Sequence, residues 1–221
     1  RADALQRGAQ AVGLGKALQP FAREGQLLAP TAESTAQRDQ AGPVGLAALG
    51  AGSHERQGAP RAEHAEGLLG GVAGVPPAHF VILGAGVLGR AAARAAIGLG
   101  AQVTLLDRSV GHLRDVGREI HGGYTTMLAT RPNIEMALSF ADLVLGAVAV
   151  SGQRAPVIVT RDMLRHMKPR TVVMDLSIDM GGCFETSRPT THAEPTYVVD
   201  GVVHYCVANM PGAVAHTSAH A

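Results

Sequence analysis

The stretch HFVILGAGVLGRAAARAAIGLGAQVTLLDRS, residues 79–109, decides the fold of this chain. A short apolar run that predicts a buried strand leads into Gly84, Gly86 and Gly89, and an alanine-rich run that predicts a helix follows at once. A second apolar run ends at Asp107, about 20 residues after the glycines, which is the spacing of the dinucleotide-binding fingerprint. In that fingerprint the first glycine permits a tight turn, the second lets the backbone approach a diphosphate, and the third allows close packing of helix on strand. The stretch therefore predicts a dinucleotide site.

The same stretch indicates which dinucleotide is bound. The diphosphate is expected on the free N–H groups at the start of the helix, at Val87 and Leu88, where the helix dipole is positive. Asp107 is expected to hydrogen-bond the adenosine ribose, and its carboxylate would repel the 2′-phosphate of NADP. These features favour NAD, although Arg108 follows the acid and is long enough to reach a 2′-phosphate. A structural glycine turn without a ligand is the alternative interpretation.

The rest of the chain alternates short β-rich runs with helical ones. Strands are predicted over HFVILGA, QVTLLD, YTTML, DLVLGAV, TVVMDLS and TYVVDGVVHYCV, and helices over VLGRAAARAAIGLG, SVGHLRDVGREI, RPNIEMALSFA and TRDMLRHM. This alternation predicts right-handed βαβ units in an α/β fold with a doubly wound, mostly parallel sheet of the Rossmann type. We place this domain at residues 68–221. Residues 1–67 have weak periodicity and frequent Gly and Pro, which predicts a short irregular N-terminal segment.

Composition and charge narrow the classes of partner. Nineteen basic and eighteen acidic residues give a net charge of +1, so charge supplies no argument for nucleic acid or a membrane surface, and neither is expected as a partner. No apolar run reaches the roughly 18 residues of a membrane span. Cys183 and Cys206 are too few for a disulfide framework and lack metal-ligand spacing. We therefore expect two buried thiols, no metal site and a cytoplasmic location; the chain opens on Arg1 rather than Met, as a processed or partial chain would.

Two further segments follow predicted strands and are candidates for the same site. Val148 ends the DLVLGAV run and Ala149 follows it, where an α/β sheet places its ligands, although an ordinary exit from strand to loop fits equally well. Asp175 lies within the VVMDLS run, and Asp179 and Glu185 follow it. Because Asp179 precedes a Gly-Gly turn, it is placed to touch the nicotinamide end or a substrate; the alternative is a turn-forming aspartate.

The motifs together carry a family resemblance. IDMGGCFETSRPTTH, YCVANMPGAV and the glycine-rich stretch, with LLAPTAES nearer the start, resemble the NAD-binding domain of bacterial alanine dehydrogenase. That family is also related to the α subunit of nicotinamide nucleotide transhydrogenase. The resemblance runs from Leu68 to Ser218 and implies reversible, NAD-dependent oxidative deamination of L-alanine to pyruvate and ammonia by a homo-oligomer.

The resemblance also implies roles for individual residues. Asp179 matches the family's active-site aspartate, and Thr126 stands where the family has a serine near the adenine ribose. His112 stands where the family has a basic residue after the ribose-binding acid. The residues expected around the cofactor, in addition to the three glycines and Asp107, are Val87, Leu88, Arg108, His112, Thr126, Val148, Ala149, Ile178, Asn209 and Met210.

The departures from the family leave two hypotheses open. The cations that grip the substrate carboxylate and the acid/base histidine are not found in residues 1–67, because the motifs that would surround Lys16, His54 and His64 are absent. We interpret that segment as the remnant of a substrate domain and a linker, with Ala32 replacing a serine that contacts the cofactor. The chain is then either an alanine dehydrogenase, represented by a partial chain whose catalytic half lies elsewhere, or a non-catalytic NAD(H)-binding module or component of a split transhydrogenase-like assembly.

Overall fold

The structure, a computed structural model, describes residues 69–150 and 152–210. Its strands are β1 (His79–Leu83), β2 (Gln102–Asp107), β3 (Tyr124–Leu128), β4 (Leu143–Gly146), β5 (Val172–Asp175), β6 (Thr196–Val199) and β7 (Val202–Tyr205). Its α-helices are α1 (Val87–Gly98), α2 (Val110–Glu119) and α3 (Arg131–Phe140), and 3₁₀ helices span Arg161–His166 and Ile178–Met180. The prediction of an irregular segment at residues 1–67 lies outside the described residues.

Within the described residues the strands form one sheet in the order β3-β2-β1-β4-β5-β7-β6. Neighbouring strands are parallel except for β6 and β7, which form an antiparallel pair at one end. The predicted α/β fold with a doubly wound, mostly parallel sheet is therefore confirmed. The order explains the alternation in the sequence, because each parallel neighbour needs a connection that crosses a face of the sheet.

Helices cover both faces of the sheet. On one face, Phe80 and Ile82 of β1 pack in a cluster with Leu88 and Ala92 of α1. On the other, Val81 and Leu83 belong to a cluster with Leu138 of α3 and Leu164 of the first 3₁₀ helix. Strands buried on both faces are continuously apolar rather than alternating, which is why the central runs are almost uninterrupted Val, Ile and Leu.

The strand order creates a crevice at one edge of the sheet. The chain winds outward from β1 through β2 to β3 and then returns to place β4 on the other side of β1. In open α/β sheets a ligand binds beyond the carboxyl ends of the strands at such a reversal. The loops that follow β1, β2, β4 and β5 therefore meet where a ligand is expected.

Two details differ from, or refine, the sequence-based prediction. The TRDMLRHM segment forms a 3₁₀ helix instead of an α-helix: the N–H of Met163 bonds to the carbonyl of Thr160, three residues earlier, and Pro169 follows closely enough to prevent a longer helix. The TYVVDGVVHYCV segment forms a hairpin, in which Asp200 and Gly201 both have positive φ, as a two-residue type I′ turn requires. No helix in the described ranges is long and apolar enough to span a bilayer.

Candidate functional site

Three glycines shape the turn between β1 and α1. Gly84 has φ of +106°, and a Cβ there would lie 2.5 Å from the carbonyl oxygen of Ala147. Gly86 is the N-cap of α1, and no atom lies within 4 Å of the position that its Cβ would take. A Cβ on Gly89 would overlap the carbonyl oxygen of Gly84. The turn is therefore tightly packed at Gly84 and Gly89 and open at Gly86, next to the first amides of the helix, which have no partner within it.

The carboxylate of Asp107, at the end of β2, lies against this turn. Its Oδ2 accepts a 2.7 Å hydrogen bond from the N–H of Ala85, and its Oδ1 accepts one of 2.7 Å from the N–H of Ser109. Nδ1 of His112 lies 3.2 Å from Oδ2, so two predicted site residues are in contact. The Asp107 side chain is 11% exposed, whereas His112 and Arg108 are exposed. A ribose arriving here would meet an acceptor whose orientation is set by backbone amides.

Thr126 lies on the edge strand β3, on the same side of the crevice. It is in register with Leu105, two residues before the level at which Asp107 faces Leu128. Its side chain is exposed, and it makes no hydrogen bond to Asp107 among those of the described residues. Its predicted place near the adenine ribose stays a prediction.

On the other side of the crevice, the peptide that follows β4 is clamped by one hydroxyl. Ser177 Oγ donates a 2.7 Å hydrogen bond to the carbonyl of Val148 and accepts one of 3.1 Å from the N–H of the same residue. Val148 is half-buried and Ala149 is exposed, so both stay accessible at the carboxyl edge of the sheet. The clamp holds Val148, one of the two residues that the sequence predicts beside the cofactor.

Asp179 lies in the short 3₁₀ helix after β5, with its side chain exposed. Its Oδ1 accepts a 3.3 Å hydrogen bond from the N–H of Asn209, whose φ is +52°. A shallow depression beside the carboxylate is lined by Leu176, Ile178, Asp179, Val207 and Met210. The structure thus brings four predicted residues together, namely Ile178, Asp179, Asn209 and Met210.

A second carboxylate, which the sequence analysis named only by position, lies behind this loop. Asp175 is fully buried and accepts hydrogen bonds from the N–H groups of Ser177 (2.9 Å) and Cys183 (2.8 Å) and from the Ser187 hydroxyl (2.6 Å). A signal for it exists in the sequence, because an acid that ends a fully apolar strand needs buried partners. Which groups supply them depends on tertiary structure. Glu185, the third acid of that segment, instead accepts a 2.7 Å hydrogen bond from the N–H of Arg161.

The groups around Asp175 are held in their uncharged forms. Burial, reinforced by the Asp175 carboxylate, raises the pKa of the Cys183 thiol well above its usual value. Burial likewise raises the pKa of the Cys206 thiol and lowers the pKa of the His204 imidazole. Both cysteines are free and buried, as predicted, and at neutral pH neither is a reactive thiolate.

The predicted site residues therefore fall into two groups, with the glycine turn between them. Asp107 and His112 lie on the β2 side, and Val148, Asp179 and Asn209 lie on the β4 and β5 side. An extended molecule with an anionic centre and a nucleoside at each end matches this division, because the free helix amides lie in the middle. The open space at Gly86 leaves room for that centre.

Comparison with known proteins connects this geometry to a family. The family model described as "Alanine dehydrogenase/PNT, C-terminal domain" matches residues 56–221. The alanine dehydrogenase of Halomonas elongata is 54% identical over 179 residues, which cover 80% of this chain and 47% of the relative. That of Mycolicibacterium smegmatis is 52% identical over 154 residues, which cover 70% of this chain and 42% of the relative. The chain thus spans just under half the length of the relatives that it matches.

Solved structures give the same result. An L-alanine dehydrogenase superposes with a TM-score of 0.68 at 45% identity, covering 71% of this chain and 44% of that one. A transhydrogenase from Sinorhizobium meliloti superposes with a TM-score of 0.61 at 30% identity, covering 72% of this chain and 45% of that one.

Proposed function

Because the chain belongs to the alanine dehydrogenase/PNT family, whose C-terminal domain it matches over residues 56–221, we propose that it forms the cofactor-binding part of an NAD-dependent alanine dehydrogenase. The family assignment bears out NAD as the cofactor. The proposed reaction is the reversible oxidative deamination of L-alanine to pyruvate and ammonia. The observation that carries the proposal is the Asp107 carboxylate, fixed on the Ala85 amide directly beside the open start of α1 at Gly86.

Each side of the crevice holds one part of the dinucleotide in this proposal. The free N–H groups of Val87 and Leu88 at the start of α1 bind the diphosphate, and Gly86 leaves the space for its approach. Asp107 accepts hydrogen bonds from the adenosine ribose hydroxyls and disfavours a 2′-phosphate. His112 lies against the same carboxylate and reaches the ribose from the solvent side.

Residues on the other side would bind the nicotinamide end and the substrate. Bound NAD supplies a hydride acceptor there. Val148, Ala149 and Met210 offer apolar surface that keeps water from the ring, which favours hydride transfer over side reactions. Asp179 would hold the substrate amine and accept its proton, since the Asn209 N–H orients Oδ1 and no described residue hydrogen-bonds Oδ2.

The alternative function is a non-catalytic NAD(H)-binding module or one component of a transhydrogenase-like assembly. One observation favours it: Lys168, the lysine within the described residues, hydrogen-bonds the carbonyl of Phe140 (2.8 Å) and Asp142 (2.9 Å), at the amino ends of the strands. It therefore lies at the opposite edge of the sheet from Asp179. Lys168 therefore cannot hold a substrate carboxylate beside Asp179, whereas the side chain of Arg154 packs against Gly181 in the same loop as Asp179.

We extend the proposal to assembly and location. We propose that the protein acts as a homo-oligomer, as its resemblance to alanine dehydrogenase implies. We also propose that it works in the cytoplasm, where the two buried thiols would stay reduced. Its partners would then be L-alanine or pyruvate and a second copy of the chain.

Two measurements test the proposed function on the full chain. NADH binding is followed by fluorescence, and turnover by loss of NADH absorbance after pyruvate and ammonia are added. We expect binding and turnover for the wild type, and for Asp179→Asn unchanged binding with a turnover loss of about 100-fold or more, the usual range for an acid/base group. Asp162→Asn is the matched control, because Asp162 is an exposed acid on the first 3₁₀ helix, paired with Arg165.

The outcomes separate the two functions. Turnover that depends on Asp179 but not on Asp162 supports the dehydrogenase. NADH binding without turnover favours the NAD(H)-binding module. A wild-type chain that does not bind NADH would refute both.

A further inference from the structure

We propose that Asp175 and Ser177 are positioning residues for the nicotinamide half of the site: Asp175 fixes both ends of the loop that carries Asp179, and Ser177 fixes the Val148 peptide opposite it. The inference rests on the proposed NAD binding. It concerns two buried side chains that the cofactor itself does not touch, and whose effect would pass through Asp179 and Val148.

The hydrogen bonds of Asp175 hold together the two ends of the loop that carries Asp179. Asp175 Oδ1 accepts from the N–H of Ser177 at 2.9 Å, and Oδ2 accepts from the N–H of Cys183 at 2.8 Å. These two amides lie at the beginning and end of a segment whose exposed tip is Asp179. One carboxylate therefore holds both ends of the segment. The carbonyl of Ser177 also accepts a 3.0 Å hydrogen bond from the N–H of Gly182, which holds the two ends of the loop close together.

The chemistry of the closure requires an ionisable acid rather than an amide. A carboxylate accepts at both oxygens, whereas an asparagine side chain accepts at one atom and donates at the other. In Asp175→Asn, either the Ser177 or the Cys183 N–H would face an NH₂ group. The site is buried, so no water replaces the lost partner, and one end of the loop would be released.

Hydrogen bonds also connect this loop to the peptide that follows β4. Ser177, whose N–H is held by Asp175, is 1% exposed, and its hydroxyl makes both hydrogen bonds of the clamp on Val148. The Leu176 N–H also bonds to the Gly146 carbonyl at 2.9 Å, which places the two loops side by side. The apolar surface at Val148 and the carboxylate of Asp179 are therefore held by one continuous set of hydrogen bonds that begins at Asp175.

A comparison of two ligands isolates this role. NADH reaches both sides of the crevice, whereas ADP-ribose lacks only the nicotinamide ring and relies on the glycine turn and Asp107. In the full chain we expect Ser177→Ala to weaken NADH binding roughly fivefold to tenfold, the factor that one or two hydrogen bonds represent. We expect the ADP-ribose affinity to stay within about twofold. Isothermal titration of each ligand gives the two dissociation constants.

A buried hydroxyl at the other end of β5 supplies the matched control. Thr171 is 2% exposed and donates to the carbonyls of Lys168 (2.8 Å) and Ala141 (3.2 Å), at the amino edge of the sheet. Thr171→Val removes that hydroxyl at a similar burial, so it reproduces any general loss of stability. It should leave both dissociation constants unchanged. Asp175→Asn is the second variant and should reproduce the NADH-selective loss.

The outcomes are distinct. An NADH-selective loss in Ser177→Ala with an unaffected Thr171→Val supports the inference. Equal losses for both ligands, no loss, or the same loss in Thr171→Val would overturn it while leaving the proposed function intact. A wild-type chain that binds neither ligand would overturn the proposed function, and the inference with it.

Discussion

Gly86→Ala should separate cofactor binding from folding. The N-cap backbone at Gly86, with φ of −69° and ψ of −170°, is open to any residue, and the new Cβ would meet no atom within 4 Å. Alanine is a poorer N-cap than glycine, so we expect a cost of about 1 kcal/mol or less, which is a fall in Tm of roughly 2–4 °C for a domain of this size. The Cβ would point into the space that the diphosphate needs. We therefore expect NADH to bind about 10- to 100-fold more weakly, equivalent to about 1.4–2.8 kcal/mol.

Substitutions at two other glycines of α1 serve as comparisons for Gly86→Ala. Gly89→Ala would place a Cβ on the carbonyl oxygen of Gly84, so helix and strand must move apart. Overpacking of this kind costs about 1–3 kcal/mol, which predicts a Tm fall of roughly 2–12 °C. Gly98, at the end of the same helix, has no atom within 4 Å of its Cβ position. Gly98→Ala should leave NADH binding unchanged and keep or raise the Tm, because alanine is the better helix former.

The assays are thermal unfolding followed by fluorescence and an NADH titration of each variant. The expected pattern is a binding defect without a large stability defect for Gly86→Ala, a large stability defect for Gly89→Ala, and neither for Gly98→Ala. If Gly86→Ala bound NADH as the wild type does, the diphosphate would not approach the chain at this turn. The placement of the cofactor would then be wrong even though the fold is right.

Three further predictions concern single groups. Asp107→Ala should reduce the preference for NADH over NADPH by about tenfold or more, since it removes both the ribose acceptor and the repulsion of the 2′-phosphate; equal ratios of the two dissociation constants before and after would contradict it. Cys183 and Cys206 should react with a thiol reagent such as DTNB only after denaturation, because burial raises both pKa values and blocks access; rapid labelling of the native chain would show otherwise. His204, hydrogen-bonded to Thr186 Oγ1 at 2.7 Å, has its pKa lowered by burial, so the unfolded chain binds the proton more readily and the Tm should fall as the pH drops below about 6.5. Comparison of the wild type with His204→Gln from pH 5 to 8 checks this, since the variant should lose that part of the pH dependence and an unchanged dependence would contradict the assignment.

The fold could be predicted because its determinants are local. The β1 strand, the turn at Gly84 and the helix that follows are set by residues within one stretch, and the atom that crowds Gly89 is the carbonyl oxygen of Gly84 in the same turn. The parallel strands could be recognised because burial on both faces makes their runs continuously apolar. The first 3₁₀ helix was predicted only as a helix, since the choice between two helical hydrogen-bond patterns over six residues depends on how the segment packs.

The sequence indicates candidate residues for the site but not the contacts between them. Asp179 and Asn209 are 30 positions apart, and their hydrogen bond exists because β5 and β7 are neighbours in the sheet. No spacing in the sequence shows that these two strands are neighbours. The same holds for the clamp between Ser177 and Val148, whose partners are 29 positions apart. Parallel sheets bring together residues distant in sequence, so the contacts that organise a site at their edge are seen only once the strand order is known.

Asp107 and Asp175 share one local sequence pattern but differ in how far the structure buries them. Each aspartate ends an apolar strand, in QVTLLD and in TVVMD, and each carboxylate accepts hydrogen bonds from backbone amides. The side chain of Asp107 keeps 11% of its surface exposed, whereas Asp175 is sealed completely, with the Ser187 hydroxyl bonded to it at 2.6 Å. One acid is therefore available to a ligand, and the other can act only through the loop that it holds. The sequence pattern predicts an acid at the edge of the sheet, and the covering segment decides whether that acid binds a ligand or positions the residues that do.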